Sequence, residues 1–220
     1  MRVALPRRVR VSMAVAVLAF AALVAALGSA CVRADDRLPP LPFDKYSEVQ
    51  RKAVRDFAAD RGKPVFGPFV PLVRSPELML SAKAMGDYLR FKSSLPKRIG
   101  ELAVLVVCRE WTQQVEWQIH YPLALQAGLS PEVADAIADG RRPEKLAQDE
   151  QVAYDLSIEI QRNRRVSDET YRRAVTAFGE QGLVDLLGVN GYYVFLATVM
   201  NAARTAPTVV AAVPLRHFPD

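Results

Sequence analysis

The chain has 220 residues, half of them hydrophobic and 24% charged, which excludes a disordered or collagen-like polymer and leaves room for a sizeable core. The formal net charge is +5, but Arg2, Arg7, Arg8, Arg10 and Arg33 all fall in residues 1–34, which carry no acid. Taking those five from the 29 basic residues leaves 24, equal to the 24 acids, so the overall basicity gives no ground for nucleic-acid binding and none is expected as a partner.

Residues 1–34 run from arginines through an apolar stretch, 13–27, to small residues, the three-part pattern of a secretory signal. As a helix the stretch spans about 22 Å at ~1.5 Å per residue, short of a ~30 Å hydrocarbon core, so cleavage rather than anchoring is expected. Val32 and Ala34 favour a cut before Asp35; Gly28-Ser29-Ala30 before Cys31 is the second choice and leaves lipidation of Cys31 open. The expectation is a periplasmic or secreted protein with no membrane contact after cleavage. Cys108 then stands without a disulfide partner, inside the apolar run Leu102-Ala103-Val104-Leu105-Val106-Val107, and reads as a buried, inert thiol.

Residues 35–44, with Pro39, Pro40 and Pro42, read as an extended linker, followed by a helix over 46–60 with Val49, Ala53, Val54 and Phe57 on one face. Gly62, Pro64, Gly67, Pro68 and Pro71 predict an irregular loop over 62–74. Ser75-Pro76-Glu77 starts a helix, and further helices are predicted over 76–93, 97–110, 113–127, 131–138, 146–163, 168–179 and 181–203. No strand pattern interrupts them, so the fold class is all-α, with the main domain over 75–204 and an extended proline-containing tail over 205–220.

The inventory of motifs is mostly negative. The chain has no glycine-rich phosphate loop, no G-x-S-x-G and no H-E-x-x-H; with two histidines and few cysteines, no metal site is expected. Glu116 and His120 stand at i and i+4, so both project from one helix face, and Glu101 opens the preceding helix, from which it could fold back beside them. A carboxylate beside imidazole fixes its tautomer and raises its basicity, which suits general acid–base work. Ionised Glu116 is expected to lift the His120 pKa above its reference, provided the pair is hydrated enough for burial not to cancel the effect. Trp117 and Tyr192 are candidate walls of a substrate site, with Gln113 beside them; no arginine clamp for a substrate carboxylate is evident, Arg98 and Arg109 being candidates only. A solvated structural contact is the competing explanation for the Glu–His pair, and core packing for Trp117.

Several segments together resemble the carboxymuconolactone decarboxylase/AhpD-like family. They are Leu95-Pro96 with Arg98, Glu101-Leu102-Ala103, Glu116-Trp117-Gln118-Ile119-His120, Leu123-Ala124, Ala127-Gly128-Leu129-Ser130, and Asp185-Leu186-Leu187-Gly188-Val189-Asn190-Gly191-Tyr192-Tyr193 followed by Asn201. The resemblance implies an AhpD-like helical bundle that assembles as a homotrimer or hexamer; the apolar load of 186–199 supports assembly. It places the family's glutamate at Glu101 and its histidine at His120, whereas the two cysteines of the peroxidase branch fall on Gln113 and Glu116, which form neither thiolate nor disulfide. A non-redox member is therefore implied: a cofactor-independent decarboxylase-type lyase acting on a small cyclic acid or lactone, with His120, Glu116 and Glu101 as catalytic residues. The alternative is a non-catalytic ligand-binding or scaffold member of the same fold.

Overall fold

The computed structural model describes residues 36–207 and 213–215. The signal, Cys31, His217 and most of the tail predicted over 205–220 lie outside the described residues. The elements are a 3-10 turn (Phe43–Lys45) and helices α1 (Glu48–Arg61), α2 (Phe69–Leu72), α3 (Pro76–Phe91), α4 (Lys97–Glu110), α5 (Gln114–Gln126), α6 (Pro131–Ala138), α7 (Gln148–Asn163) and α8 (Asp168–Ala203). No strand occurs among the described residues, and the fold is all-α.

The helix ends follow local chemistry. At α1, the Ser47 hydroxyl accepts from Gln50 N–H while Gln50 reaches back to Ser47 N–H, and Gly62 closes the helix at φ 65°. Ser130 caps α6 ahead of Pro131, and Ser167 caps α8. Helix α8 is broken at Gly179, whose φ of 69° and ψ of 174° are not helical; this is where the sequence predicts two helices to meet. Two expectations are corrected. The loop predicted over 62–74 contains α2, because Pro71 falls within a first turn whose N–H groups need no helical acceptor. Its Phe69 packs on Phe57 with ring centroids 4.9 Å apart. The linker predicted over 35–44 is pinned: Arg37 N–H donates to Ala203 C=O at 2.7 Å, and Arg74 donates to Pro39 C=O at 2.8 Å. Residues 36–74 thus join the body that was expected to begin at 75.

Helix α4 is the axis of the molecule. Its residues 102–109 are all buried, as expected for a helix covered on every side, and α5, α6, α7 and α8 pack around it. Helix α3 lies between α1 and α8, where Gly188 lets α8 approach Leu89 closely. Most of the apolar load of 186–199 is absorbed inside this fold: Leu186, Val189, Tyr192, Tyr193, Leu196 and Ala197 are buried. Helix α8 is also, among the described residues, the one helix long and apolar enough to cross a membrane, and over half of its most apolar window is buried against the other helices.

Candidate active site

Three helices converge on His120. Helix α4 supplies Glu101, α5 supplies Glu116 and His120 one turn apart, and α8 supplies Tyr193. The imidazole is only 2% exposed. Its Nδ1 lies 2.6 Å from Glu101 Oε2; its Nε2 lies 3.3 Å from Glu116 Oε2 and 3.1 Å from the Tyr193 hydroxyl. The Tyr193 ring stands edge-on to the imidazole at 5.0 Å.

Burial is the largest influence on this histidine and disfavours imidazolium. Hydrogen bonds and attraction from Glu101 and Glu116 together outweigh it, and the pKa is pushed up to about 9. The rise expected from the sequence is therefore present without the hydration expected to permit it, because two carboxylates flank the ring instead of one. At neutral pH the centre is an imidazolium held between two glutamates. Burial pushes the Tyr193 hydroxyl well above its ordinary value, with Glu116 adding to the effect, so it stays neutral, and its oxygen accepts from the imidazolium Nε2–H. Burial likewise raises the Cys108 thiol well above 9, reinforced by Glu116 and Glu101, which makes the one cysteine among the described residues unreactive.

Two cavities meet at this centre. A cleft of about 470 Å³ is lined by Glu101 and Tyr193 together with Leu89, Arg90, Phe91, Leu95, Lys97, Val104, Leu123 and Val189. On the other side, a void of about 20 Å³ is lined by Glu116, His120, Tyr192, Tyr193, Arg61 and Arg90; it has room for about one water molecule. His120 does not line the larger cleft, so Glu101 stands between it and any molecule bound there. The Tyr192 hydroxyl presses on α3, where a Cβ on Gly86 would fall 2.3 Å from it.

The structure separates the sequence candidates. Glu101, Glu116 and His120 come together, and Tyr192 lines the small void. Trp117 is fully buried, its ring tilted against Tyr121 with centroids 5.5 Å apart, and its indole N–H donates to Val213 C=O at 2.5 Å. Gln113 is the N-cap of α5: its side chain accepts from Val115 N–H at 2.7 Å and donates to Asn201 at 2.6 Å. Neither lines the cleft, because both side chains are committed to holding α5 in place. Arg98 pairs with Glu150 and Asp149 at the start of α7, and Arg109 donates to Ala138 C=O on another face, so neither serves the cleft as a clamp. The cations that do line it, Arg90 and Lys97, and the neighbouring Tyr193, escaped the sequence reading. Adjacent tyrosines on a helix point about 100° apart, and nothing local shows which of them meets a distant histidine. Arg90 reaches the cleft only through the packing of α3 against α8.

The cleft mouth is held by Asp185, whose carboxylate accepts from Tyr88 Oη (3.1 Å), Ser93 Oγ (2.9 Å), Ser94 N–H (2.9 Å) and Ser94 Oγ (3.0 Å). Burial works against the charge, but these donors outweigh it and hold the carboxyl below its ordinary 3.8.

No protein-family model matches the chain, and no curated protein matches it in sequence. Among solved structures, the chain is similar to a cysteine-to-alanine variant of the debrominase Bmp8 in complex with 2,3,4-tribromopyrrole. The TM-score is 0.62 at 10% identity, covering 82% of this chain and 95% of the other. What the two share is the fold.

Proposed function

We propose that this chain is a non-redox member of the carboxymuconolactone decarboxylase/AhpD-like family, catalysing cofactor-independent decarboxylation of a small cyclic acid or lactone in the 470 Å³ cleft. The observation that carries the reading is the buried Glu101–His120–Glu116 centre with Glu101 facing that cleft. The volume lies within the usual range for small-molecule sites. Loss of carbon dioxide leaves the bonding pair on the ring, where it delocalises onto a lactone carbonyl. A proton then passes from Nδ1 of His120 through Glu101 to the carbanionic carbon, so that hydrogen replaces the lost carboxylate. Glu101 is the group that meets substrate, His120 stores the proton, and Glu116 keeps the imidazole charged. The debrominase likeness adds only that a related fold accommodates a small ring, tribromopyrrole.

The test is carbon dioxide release by the purified protein from a panel of lactone acids, with Glu101→Gln and His120→Ala as controls. Release that exceeds both controls is expected; no excess across the panel rejects the decarboxylase. The scaffold or ligand-binding alternative is favoured instead if acids bind the cleft without turnover.

Assembly and export belong to the same proposal. Met85, Tyr88 and Phe91 on α3 and Val184 on α8 are 40–64% exposed, and the Tyr88–Asp185 bond brings the two helices side by side. We infer a homotrimer or hexamer using this face, in an exported protein; a single species of monomer mass by light scattering refutes the assembly, and recovery from the cytoplasmic fraction refutes the export.

A further inference from the structure

We propose that Arg90 is the anion anchor of the cleft, assisted by Lys97 at its mouth, and that it selects ligands bearing a carboxylate over neutral rings of the same shape. This rests on the cleft being a ligand site, as the proposed function has it. Arg90 lines both the cleft and the small void behind it. Its guanidinium lies over the Phe91 ring at 5.2 Å, it makes no ion pair among the described residues, and its Nε is buried without a hydrogen-bond partner.

The neighbouring arginines are committed elsewhere. Arg61 is paired with Asp87, Arg98 with Asp149 and Glu150, and Arg162 with Glu110. Arg90 alone of these four lines the cleft, and a planar guanidinium without an ion-pair partner matches a carboxylate in two parallel hydrogen bonds. Position argues the same way. Lys97 and Glu101 stand at i and i+4 on α4, so the cationic mouth and the Glu101 side chain lie one turn apart on the same wall. With a ligand carboxylate paired to Arg90 and Lys97, its ring spans the apolar wall made by Leu89, Val104 and Val189. A carboxylate that is retained in the reaction keeps its charge throughout, so a contact to it acts on ground state and transition state alike and sets affinity and selectivity rather than the rate of proton transfer.

The experiment uses two matched probes, 2-furoate and the neutral 2-furamide, titrated into the purified protein by calorimetry. The His120 imidazole signals, followed by NMR, locate binding. Wild type is expected to prefer furoate by about tenfold or more, which is ~1.4 kcal/mol. Arg90→Gln should abolish the preference while leaving furamide affinity within about twofold, and Lys97→Gln, on an exposed residue, should reduce it severalfold. Arg90→Lys keeps the charge and most of the stem but lacks the planar fork, so the preference should fall severalfold; it covers the case in which Arg90→Gln does not fold, and an undiminished preference in it counts against the anchor. Equal affinity for both probes in wild type, or a preference that survives Arg90→Gln, overturns the anchor and leaves the cleft as a ligand site. If neither probe binds wild type or shifts the His120 signals, the ligand-site reading falls and the anchor falls with it.

Discussion

Replacing Glu101 by Gln removes one negative charge while keeping the side-chain shape, and its consequence for His120 follows from the geometry. In the wild type the histidine rises from 6.5 to about 9, which corresponds to about 3 kcal/mol of folding free energy at ~1.4 kcal/mol per pH unit. Because the folded-state pKa is raised, this stabilisation is fully present below 6.5 and is lost as pH rises through about 9. The variant loses the charge at the shorter contact, 2.6 Å against 3.3 Å for Glu116, and leaves a nearly fully buried imidazole facing one carboxylate. Burial then offsets the remaining attraction, and His120 should titrate at or below 6.5. The variant should be about 3 kcal/mol less stable than wild type at pH 6, with the gap closing above pH 9. Histidine-selective NMR titration is simple to read, since the chain has only two histidines, and urea denaturation between pH 5 and 10 gives the stability. A wild-type His120 midpoint at or below 6.5, or a stability gap independent of pH, refutes the role assigned to Glu101.

Gly86→Ala would bring a methyl group against the Tyr192 hydroxyl and should cost about 1–3 kcal/mol in thermal or denaturant unfolding, with displacement of Tyr192; an unchanged melting temperature contradicts this packing. Asp185→Asn removes the charged acceptor at the cleft mouth and should destabilise by about 2 kcal/mol near neutral pH. Since the Asp185 pKa is lowered, that contribution exists above 3.8 and is lost as pH falls through its folded value, so wild type and variant should converge in acid; parallel pH profiles would disprove it. Cys108 should resist a thiol reagent in the native protein and react fully in denaturant, and fast native labelling would show that the thiol is not buried.

The sequence conveys the helices well because proline, glycine and serine punctuate it at their ends: Ser75-Pro76, Ser130-Pro131 and Ser167-Asp168 all start helices where expected. It conveys the Glu116–His120 pair because an i,i+4 relation is local. The function of its neighbours is less legible. Trp117 and Gln113 lie beside the pair in sequence and look like site residues, yet their partners are Val213 and Asn201, far along the chain. Arg90 and Tyr193 reach the site from helices whose relative placement no local pattern encodes. The proline-rich segment 62–74 misleads for a different reason: closely spaced prolines and glycines break a long helix but permit a single turn, and Phe69 and Leu72 of that turn are buried.

The anchoring of Trp117 by Val213, with Gln114 donating to Leu215 C=O at 2.6 Å and Leu215 buried, bears on the order of folding. These bonds join residues 96 and 101 positions apart, whereas Gln113 caps its own helix through Val115. Contacts of such sequence separation carry a large loop-closure cost and form late. Helix α5 can therefore be wound, and its Glu–His pair set in register, before its indole finds an acceptor. In a Trp111→Phe variant, which leaves Trp117 as the single tryptophan, fluorescence should lag behind the recovery of helical circular dichroism during refolding, and Leu215→Ala should speed unfolding more than it slows folding.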